Sequence, residues 1–121
     1  MAKKNKFSWK KQTAIYIGRF QPFHKGHETL FLKALKKDGQ VAILVMDSFG
    51  INKKNPFKFS YVKKKINQTL EKYKGRYIII KVPVISRVVY GRKVGYKIEK
   101  IKTTQLVENI SATKIRKNLL K

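Results

Sequence analysis

The sequence predicts a single α/β domain in which a parallel sheet carries helices on both faces. Three observations predict it: short apolar runs rich in β-branched residues, amphipathic stretches of helical period between them, and a Gly, Asp or Pro closing each run. Strands that alternate with helices pair in parallel through right-handed crossovers. A length of 121 residues fits one such domain with one core.

The first strand and helix enclose a glycine-rich loop. The strand is predicted at Thr13–Ile17, a β-branched apolar run that stops at Gly18. The helix is predicted to begin near His24, because apolar side chains recur at helical spacing from Leu30 to Leu35. Two lysines, an aspartate and a glycine at Lys36–Gly39 close this helix, since cations and glycine are typical of helix carboxyl ends.

The second strand is predicted at Val41–Met46 and ends at Asp47. Its nearly continuous apolar run is typical of a strand that is covered on both faces. A polar loop at Ser48–Lys58 follows, and an amphipathic helix is predicted from Ser60 until Gly75 stops it.

The last third of the chain is predicted less completely. Tyr77–Val82 reads as a third apolar strand that Pro83 ends, and Val88–Tyr90 as a short fourth strand. Residues 95–102 have no assigned structure. A final helix with an apolar stripe is predicted from Ser111, which is placed as its N-cap.

The ends and the composition limit the class of protein. Met1–Gln12 is rich in lysine and is predicted to be a flexible basic leader. No apolar run approaches the roughly 20 residues that cross a bilayer, so we expect a cytoplasmic protein without a membrane segment. The chain has no cysteine, which excludes disulfides, thiolate metal sites and thiol nucleophiles.

The charge balance is extreme, with 30 Lys and Arg against 6 Asp and Glu, a formal net charge of +24. Such a field attracts polyanions, which include nucleoside triphosphates and nucleic acid. A general enrichment in lysine, scattered over the surface without a function, gives the same net charge. Net charge therefore leaves nucleic-acid binding open, and the sequence also leaves a homo-oligomer open.

Residues 18–27, which read GRFQPFHKGH, lie where a parallel α/β sheet presents its ligand crevice. Gly18 lets the backbone approach a phosphate without a Cβ in the way. His24 and His27 are three residues apart, so both rings are expected on one face of the first helical turn. Unpaired N–H groups and the helix dipole favour an anion there. Taken alone, two histidines at this spacing are also typical of weak metal binding or of plain surface residues.

A second candidate phosphate site lies near the carboxyl end, at Ile110–Arg116. Ser111 and Thr113 bring hydroxyl and N–H groups to a helix start, and Arg116 offers a planar guanidinium for phosphate oxygens. By itself this pattern equally fits an ordinary N-cap followed by a basic helix. Two such segments in this order favour one polyphosphate site that both of them form.

These segments carry a resemblance to a known family. GRFQPFHxGH at residues 18–27 resembles the first signature of the HxGH nucleotidyltransferase superfamily and looks most like the nicotinamide mononucleotide (NMN) adenylyltransferases. Ile110–Arg116 resembles the second signature, ISxTxIR, and Asn55–Phe57 is similar to a segment of the archaeal-type enzymes. Arg87–Lys102 does not align with their acceptor-binding part. The length is nearer to that of the glycerol-3-phosphate cytidylyltransferases.

The resemblance implies a Rossmann-like nucleotidyltransferase domain over residues 13–121. It implies transfer of a nucleoside monophosphate, with AMP from ATP favoured, to a phosphorylated acceptor such as NMN, with release of pyrophosphate. A cytidylyltransferase that uses CTP and a polyol or amino-alcohol phosphate is the first alternative. A basic nucleic-acid-binding module is the second.

The resemblance also assigns roles to residues. The candidate catalytic residues are His24 and His27, which would stabilise the α-phosphate, and Arg116, which would hold the leaving pyrophosphate. The candidate nucleotide-binding residues are Gly18, Arg19, Phe20, Lys25, Gly26, Ser111 and Thr113. Mg²⁺ is the expected cofactor, held mainly by the triphosphate without direct protein ligands, and Asp47 is a candidate partner through water.

Overall fold

The computed structural model describes residues 6–47, 56–89, 91 and 98. Strands and helices alternate in this part of the chain as the sequence predicts. The elements are β1 (Ala14–Gly18), α1 (Lys25–Asp38), β2 (Val41–Met46), α2 (Phe59–Thr69), a 3-10 turn (Glu71–Tyr73) and β3 (Tyr77–Val82). No helix within the described ranges is long and apolar enough to cross a membrane.

The three strands form one parallel sheet in the order β1-β2-β3, with β2 in the centre. All three carboxyl ends therefore lie at one edge of the sheet, where β1 ends at Gly18, β2 at Met46 and β3 at Val82. The predicted α/β, Rossmann-like fold class is confirmed. In such a sheet, the loops that leave the carboxyl edge form the ligand crevice.

Helices α1 and α2 pack on the same face of this sheet. The ring of Tyr77 on β3 lies 5.8 Å from the ring of Phe31 on α1, and its hydroxyl donates a 2.6 Å hydrogen bond to Asn67 on α2. Right-handed crossovers between strands in this order place successive helices on one face. The helix predicted from Ser111 lies outside the described residues.

The core fills the space between these helices and the sheet. Its fully buried side chains come from the first loop, β2, the two helices and the residue after α2: Phe20, Phe31, Val41, Ile43, Val45, Val62, Ile66 and Leu70. Burial of each large apolar side chain contributes about 1.5–3 kcal/mol of transfer free energy. The packed core thus supports the carboxyl edge of the sheet and the loops that leave it.

The ends of the two helices differ in how well they were predicted. Helix α1 ends as predicted at Gly39, which has a φ of 83° and donates its N–H to Leu35. Helix α2 begins at Phe59 and ends at Thr69, before the predicted stop at Gly75. The backbone leaves helical geometry at Leu70, with φ −102° and ψ 21°, while the Leu70 side chain stays fully buried in the core.

The prediction of a fourth strand is wrong for Val88 and Val89, which lie in no strand and are 59% and 81% exposed. A β-branched pair forms a strand only where it can pair with the edge of a neighbouring strand and pack one face against the core. Tyr90, the third residue of that prediction, lies outside the described residues.

The chain before β1 contacts the domain through one buried side chain. Gln40 is 4% exposed, and its amide oxygen accepts a hydrogen bond from the backbone N–H of Ser8 at 3.1 Å. The same amide donates to the Ser8 carbonyl at 2.6 Å. Gln40 precedes β2, so this contact lies at the amino edge of the sheet, opposite the first loop.

Candidate active site

The loop after β1 is built around the buried ring of Phe20. Phe20 has a positive φ of 52°, is 2% exposed, and packs its ring against Tyr16, Phe23 and His27. The ring lies so close to Gly18 that a Cβ on that glycine would stand 2.8 Å from it. Gly18 is thus required by a close approach within the loop, and the Phe20 side chain forms the support under His27.

His24 and His27 form a reciprocal cap at the start of α1. His24 is the N-cap residue, and its Nδ1 accepts a 3.0 Å hydrogen bond from the N–H of Gly26. His27 Nδ1 accepts a 3.1 Å hydrogen bond from the N–H of His24. The two rings stack with centroids 3.8 Å apart. The structure therefore brings the predicted pair together at the first turn of the helix.

This cap determines the tautomer of both imidazoles. Since Nδ1 accepts a hydrogen bond in each ring, a neutral ring carries its proton on Nε2. Two Nε2–H groups are then available to a ligand at a helix end whose dipole favours anions. A phosphate oxygen is a suitable acceptor for both.

Both imidazoles are neutral at pH 7. Burial, with a smaller contribution from the neighbouring His24 ring, lowers the pKa of His27 to about 3. Burial also lowers the pKa of His24. Positive charge at this loop comes instead from Arg19 and Lys25, whose side chains are exposed, and from the helix dipole.

The lowered pKa of His27 predicts how stability depends on pH. Between the unfolded pKa of about 6.5 and the native value of about 3, the unfolded chain binds a proton that the native chain does not. The free energy of unfolding should therefore fall as pH is lowered through this window, by up to ~1.4 kcal/mol per pH unit. Urea unfolding between pH 8 and pH 4 measures it.

The matched control for this pH dependence is His27→Asn, which removes the titrating group. The slope between pH 6.5 and pH 5 should be smaller in that variant than in the parent chain. Equal slopes in the two proteins would contradict the assignment to His27.

The loop after β2 begins at Asp47, which contacts β3 through a hydrogen bond and an ion pair. Its N–H donates to the Val82 carbonyl, and its carboxylate pairs with Lys81 at 3.2 Å. In the described part of the chain, no group of three His, Asp or Glu side chains is placed to hold a metal ion. Asp47 lies at the carboxyl edge, where the sequence predicts it, but its carboxylate already has a cationic partner.

The structure adds one residue to this site that sequence analysis did not select. Gln21 is 5% exposed, and its side-chain amide binds the backbone of Phe57, 36 residues later, which joins the first and second loops. A buried glutamine in a loop carries no periodic signal that could have revealed this contact. Ser111, Thr113 and Arg116 lie outside the described residues, so their convergence with the histidines stays a prediction.

These features define a class: an α/β domain whose first helix begins at the carboxyl edge of a parallel sheet and is capped there by a pair of histidines. A family model described as cytidylyltransferase-like matches residues 15–63, which run from the second residue of β1 through the first loop, α1 and β2 into the start of α2. No protein of curated function matches the chain significantly.

Two similar solved structures make the class of protein more specific. The chain is similar to a bifunctional NMN adenylyltransferase/ADP-ribose pyrophosphatase of Francisella tularensis complexed with AMP and a Mn ion, at 34% identity and a TM-score of 0.55. A second structure of the enzyme gives 33% identity and a TM-score of 0.56. Each match covers 61% of this chain and 23% of the other. The resemblance to the HxGH nucleotidyltransferase superfamily, close to the NMN adenylyltransferases, is confirmed.

Proposed function

We propose that this chain is a nucleotidyltransferase that transfers AMP from ATP to a phosphorylated acceptor such as NMN and releases pyrophosphate. The observation that carries the proposal is the stacked pair His24 and His27, which caps α1 and has both Nδ1 atoms occupied by backbone N–H groups. The pair lies in the segment that matches the cytidylyltransferase-like model. The similarity to NMN adenylyltransferase structures supports AMP as the group transferred.

In the proposed reaction, a phosphate oxygen of the acceptor attacks the α-phosphorus of the nucleotide. The new O–P bond forms as the bond to the bridging oxygen of the β-phosphate breaks, and pyrophosphate leaves with that oxygen. The nucleophile is already ionised at neutral pH, so the protein needs to orient the reactants and stabilise charge. Neutral His24 and His27 would donate from Nε2 to α-phosphate oxygens, with Arg19 and Lys25 adding positive charge.

A divalent cation fits this site as a partner of the triphosphate. The similar structure from Francisella tularensis holds a Mn ion with AMP, and we propose Mg²⁺ for this chain. It would neutralise phosphate charge and orient the leaving group. Asp47 would contribute through water, since its carboxylate is paired with Lys81. We assign the leaving pyrophosphate to Ser111, Thr113 and Arg116, as the second signature implies.

The description of the matching family model favours one alternative, a cytidylyltransferase that acts on a polyol or amino-alcohol phosphate. The same histidine pair would serve that reaction, because the α-phosphate is common to both nucleotides. Base and acceptor selectivity separate the two candidates.

The test is a matrix of triphosphates and acceptors, with pyrophosphate release as the measurement. ATP with NMN should give the highest kcat/KM, and CTP with glycerol phosphate or phosphocholine should give little. Chelation by EDTA should abolish the activity, and added Mg²⁺ or Mn²⁺ should restore it. The reverse preference among the nucleotides would establish the cytidylyltransferase.

A nucleic-acid-binding role is the second alternative, and a measurement of nucleic-acid binding beside the pyrophosphate assay tests it. The net charge of +24 and the exposed lysines of α2 at positions 63–65 support it. Salt-dependent binding of nucleic acid combined with no pyrophosphate release from any pair would replace the enzyme proposal. Homo-oligomer formation and a cytoplasmic location remain predictions, which light scattering and cell fractionation would test.

A further inference from the structure

A side-chain amide ties the two loops at the carboxyl edge of the sheet to each other. Gln21 Nε2 donates to the Phe57 carbonyl at 3.0 Å, and the Phe57 N–H donates to Gln21 Oε1 at 2.9 Å. Both atoms of the amide are thus bonded to one residue, in the way a neighbouring strand would bond to it. Because Gln21 is buried, breaking this pair leaves backbone groups without partners.

The two ends of this contact lie in the loop that carries the histidine pair and at the start of α2. Gln21 precedes His24 by three residues in the loop that carries the histidine pair. Phe57 precedes Lys58, the N-cap of α2, which has no side-chain cap of its own. The Phe57 ring also stacks on Tyr61, with centroids 4.6 Å apart. Gln21 therefore links the start of α2 to the loop of His24 by hydrogen bonds, in addition to the packing of α2 in the core.

We propose that Gln21 is a positioning residue, whose bonds to Phe57 hold the loop that carries the histidine pair so that these rings meet the reacting phosphate in reactive geometry. The inference rests on the proposed function, because it concerns the orientation of the histidines at that same site. Misplacement by about 1 Å can lower a rate by two orders of magnitude. Loosening of the first loop would therefore lower kcat more than it lowers nucleotide binding.

The fold supplies a matched control at the opposite edge of the sheet. Gln40 is as buried as Gln21 and forms the same two-bond contact with the backbone of Ser8. Its contact ties down the chain before β1 and touches neither loop of the site. Gln21→Met and Gln40→Met thus each remove a two-bond contact with backbone groups, one at the site and one away from it. Gln40→Met also removes the hydrogen bond from the Gln40 amide to the Thr13 hydroxyl.

The experiment measures kcat, KM for the nucleotide, melting temperature and hydrogen exchange of the Phe57 amide in both variants. Gln21→Met should lower kcat roughly 10- to 100-fold with nucleotide KM within about three-fold of the parent value. Its Phe57 amide should exchange faster. Gln40→Met should lose a similar amount of thermal stability and keep kcat and the Phe57 exchange rate.

A second variant, Gln21→Glu, keeps the size of the side chain and can be tested at two pH values. Its ionised carboxylate would lie against the Phe57 carbonyl oxygen and should lower kcat at least as much as Gln21→Met, whereas the protonated carboxyl can donate to that carbonyl and should restore part of kcat relative to the parent at lower pH. Equal kcat losses in the Gln21 and Gln40 variants, in proportion to lost stability, would overturn the positioning role. A parent chain that releases no pyrophosphate with any pair would overturn the proposed function and this inference together, whereas an active parent with an unaffected Gln21→Met overturns the inference alone.

Discussion

Replacing His27 with alanine is expected to lower kcat roughly 100- to 1,000-fold while nucleotide KM changes by less than about three-fold. The reason is that the Nε2–H of this ring is proposed to bind α-phosphate oxygens more strongly as negative charge shifts onto them in the transition state. The ring is neutral, so its removal subtracts little from the attraction that brings the triphosphate to the site. Steady-state kinetics of pyrophosphate release measure both constants.

Two further substitutions at the same position separate donation to the ligand from helix capping. Asparagine places an oxygen close to the position of Nδ1, so His27→Asn should keep the hydrogen bond from the His24 N–H but lose the distant donor. Glutamine reaches toward the position of Nε2 and should keep more of the donor. If the donor is responsible, His27→Gln will retain more activity than His27→Asn. The opposite order would assign the effect to the cap.

The second large effect is expected from Gly18→Ala. The added Cβ would stand 2.8 and 2.9 Å from two atoms of the Phe20 ring. That ring cannot move freely, because it is buried against Tyr16 and against His27, whose ring centroid lies 4.9 Å away. We expect a loss of about 1–3 kcal/mol in the free energy of unfolding. Displacement of the His27 ring should also lower kcat at least ten-fold, in line with the cost of a misplaced catalytic group.

Two other glycines provide the controls for that substitution. A Cβ at Gly91 would meet no atom of the described residues within 4 Å, so Gly91→Ala should leave stability and kcat unchanged. At Gly39 the space is also open but φ is 83°, so Gly39→Ala should destabilise the protein by about 1 kcal/mol and leave kcat unchanged. If Gly39→Ala and Gly18→Ala lowered kcat alike, lost stability would explain both and the contact with Phe20 would not matter.

Helical period and apolar runs predicted the elements that are stabilised by their own local pattern. Helix α1 is the clearest case, since the residues that cap it at His24 and at Gly39 are visible in the sequence. The shortened α2 and the missing strand at Val88 were not predictable in this way. Each depended on the tertiary structure: the core takes the Leu70 side chain in one case, and in the other no described strand pairs with Val88 and Val89, which stay exposed.

The same distinction applies to the candidate site, which was predicted in part from local spacing and in part not at all. Sequence spacing alone placed His24 and His27 together and predicted an anion seat at a helix start. It did not reveal that the rings are neutral, because their pKa values depend on burial by Phe20 and its neighbours. The resemblance assigned Phe20 to nucleotide binding, which stays a prediction, and the structure places its side chain in the core beside His27.

The amino-acid sequence by itself determined the alternation of strands and helices, the position of the first loop and the pairing of two histidines, since all of these depend on residues near one another in the chain. Only the tertiary structure decided the tautomers of those histidines, the need for Gly18 and the bond from Gln21 to Phe57. The bond from Gln21 to Phe57 joins residues distant in sequence and forms when the sheet brings its loops to one edge. The other two features involve neighbouring residues but depend on the backbone conformation at Phe20 and at the start of α1, which residue spacing does not specify.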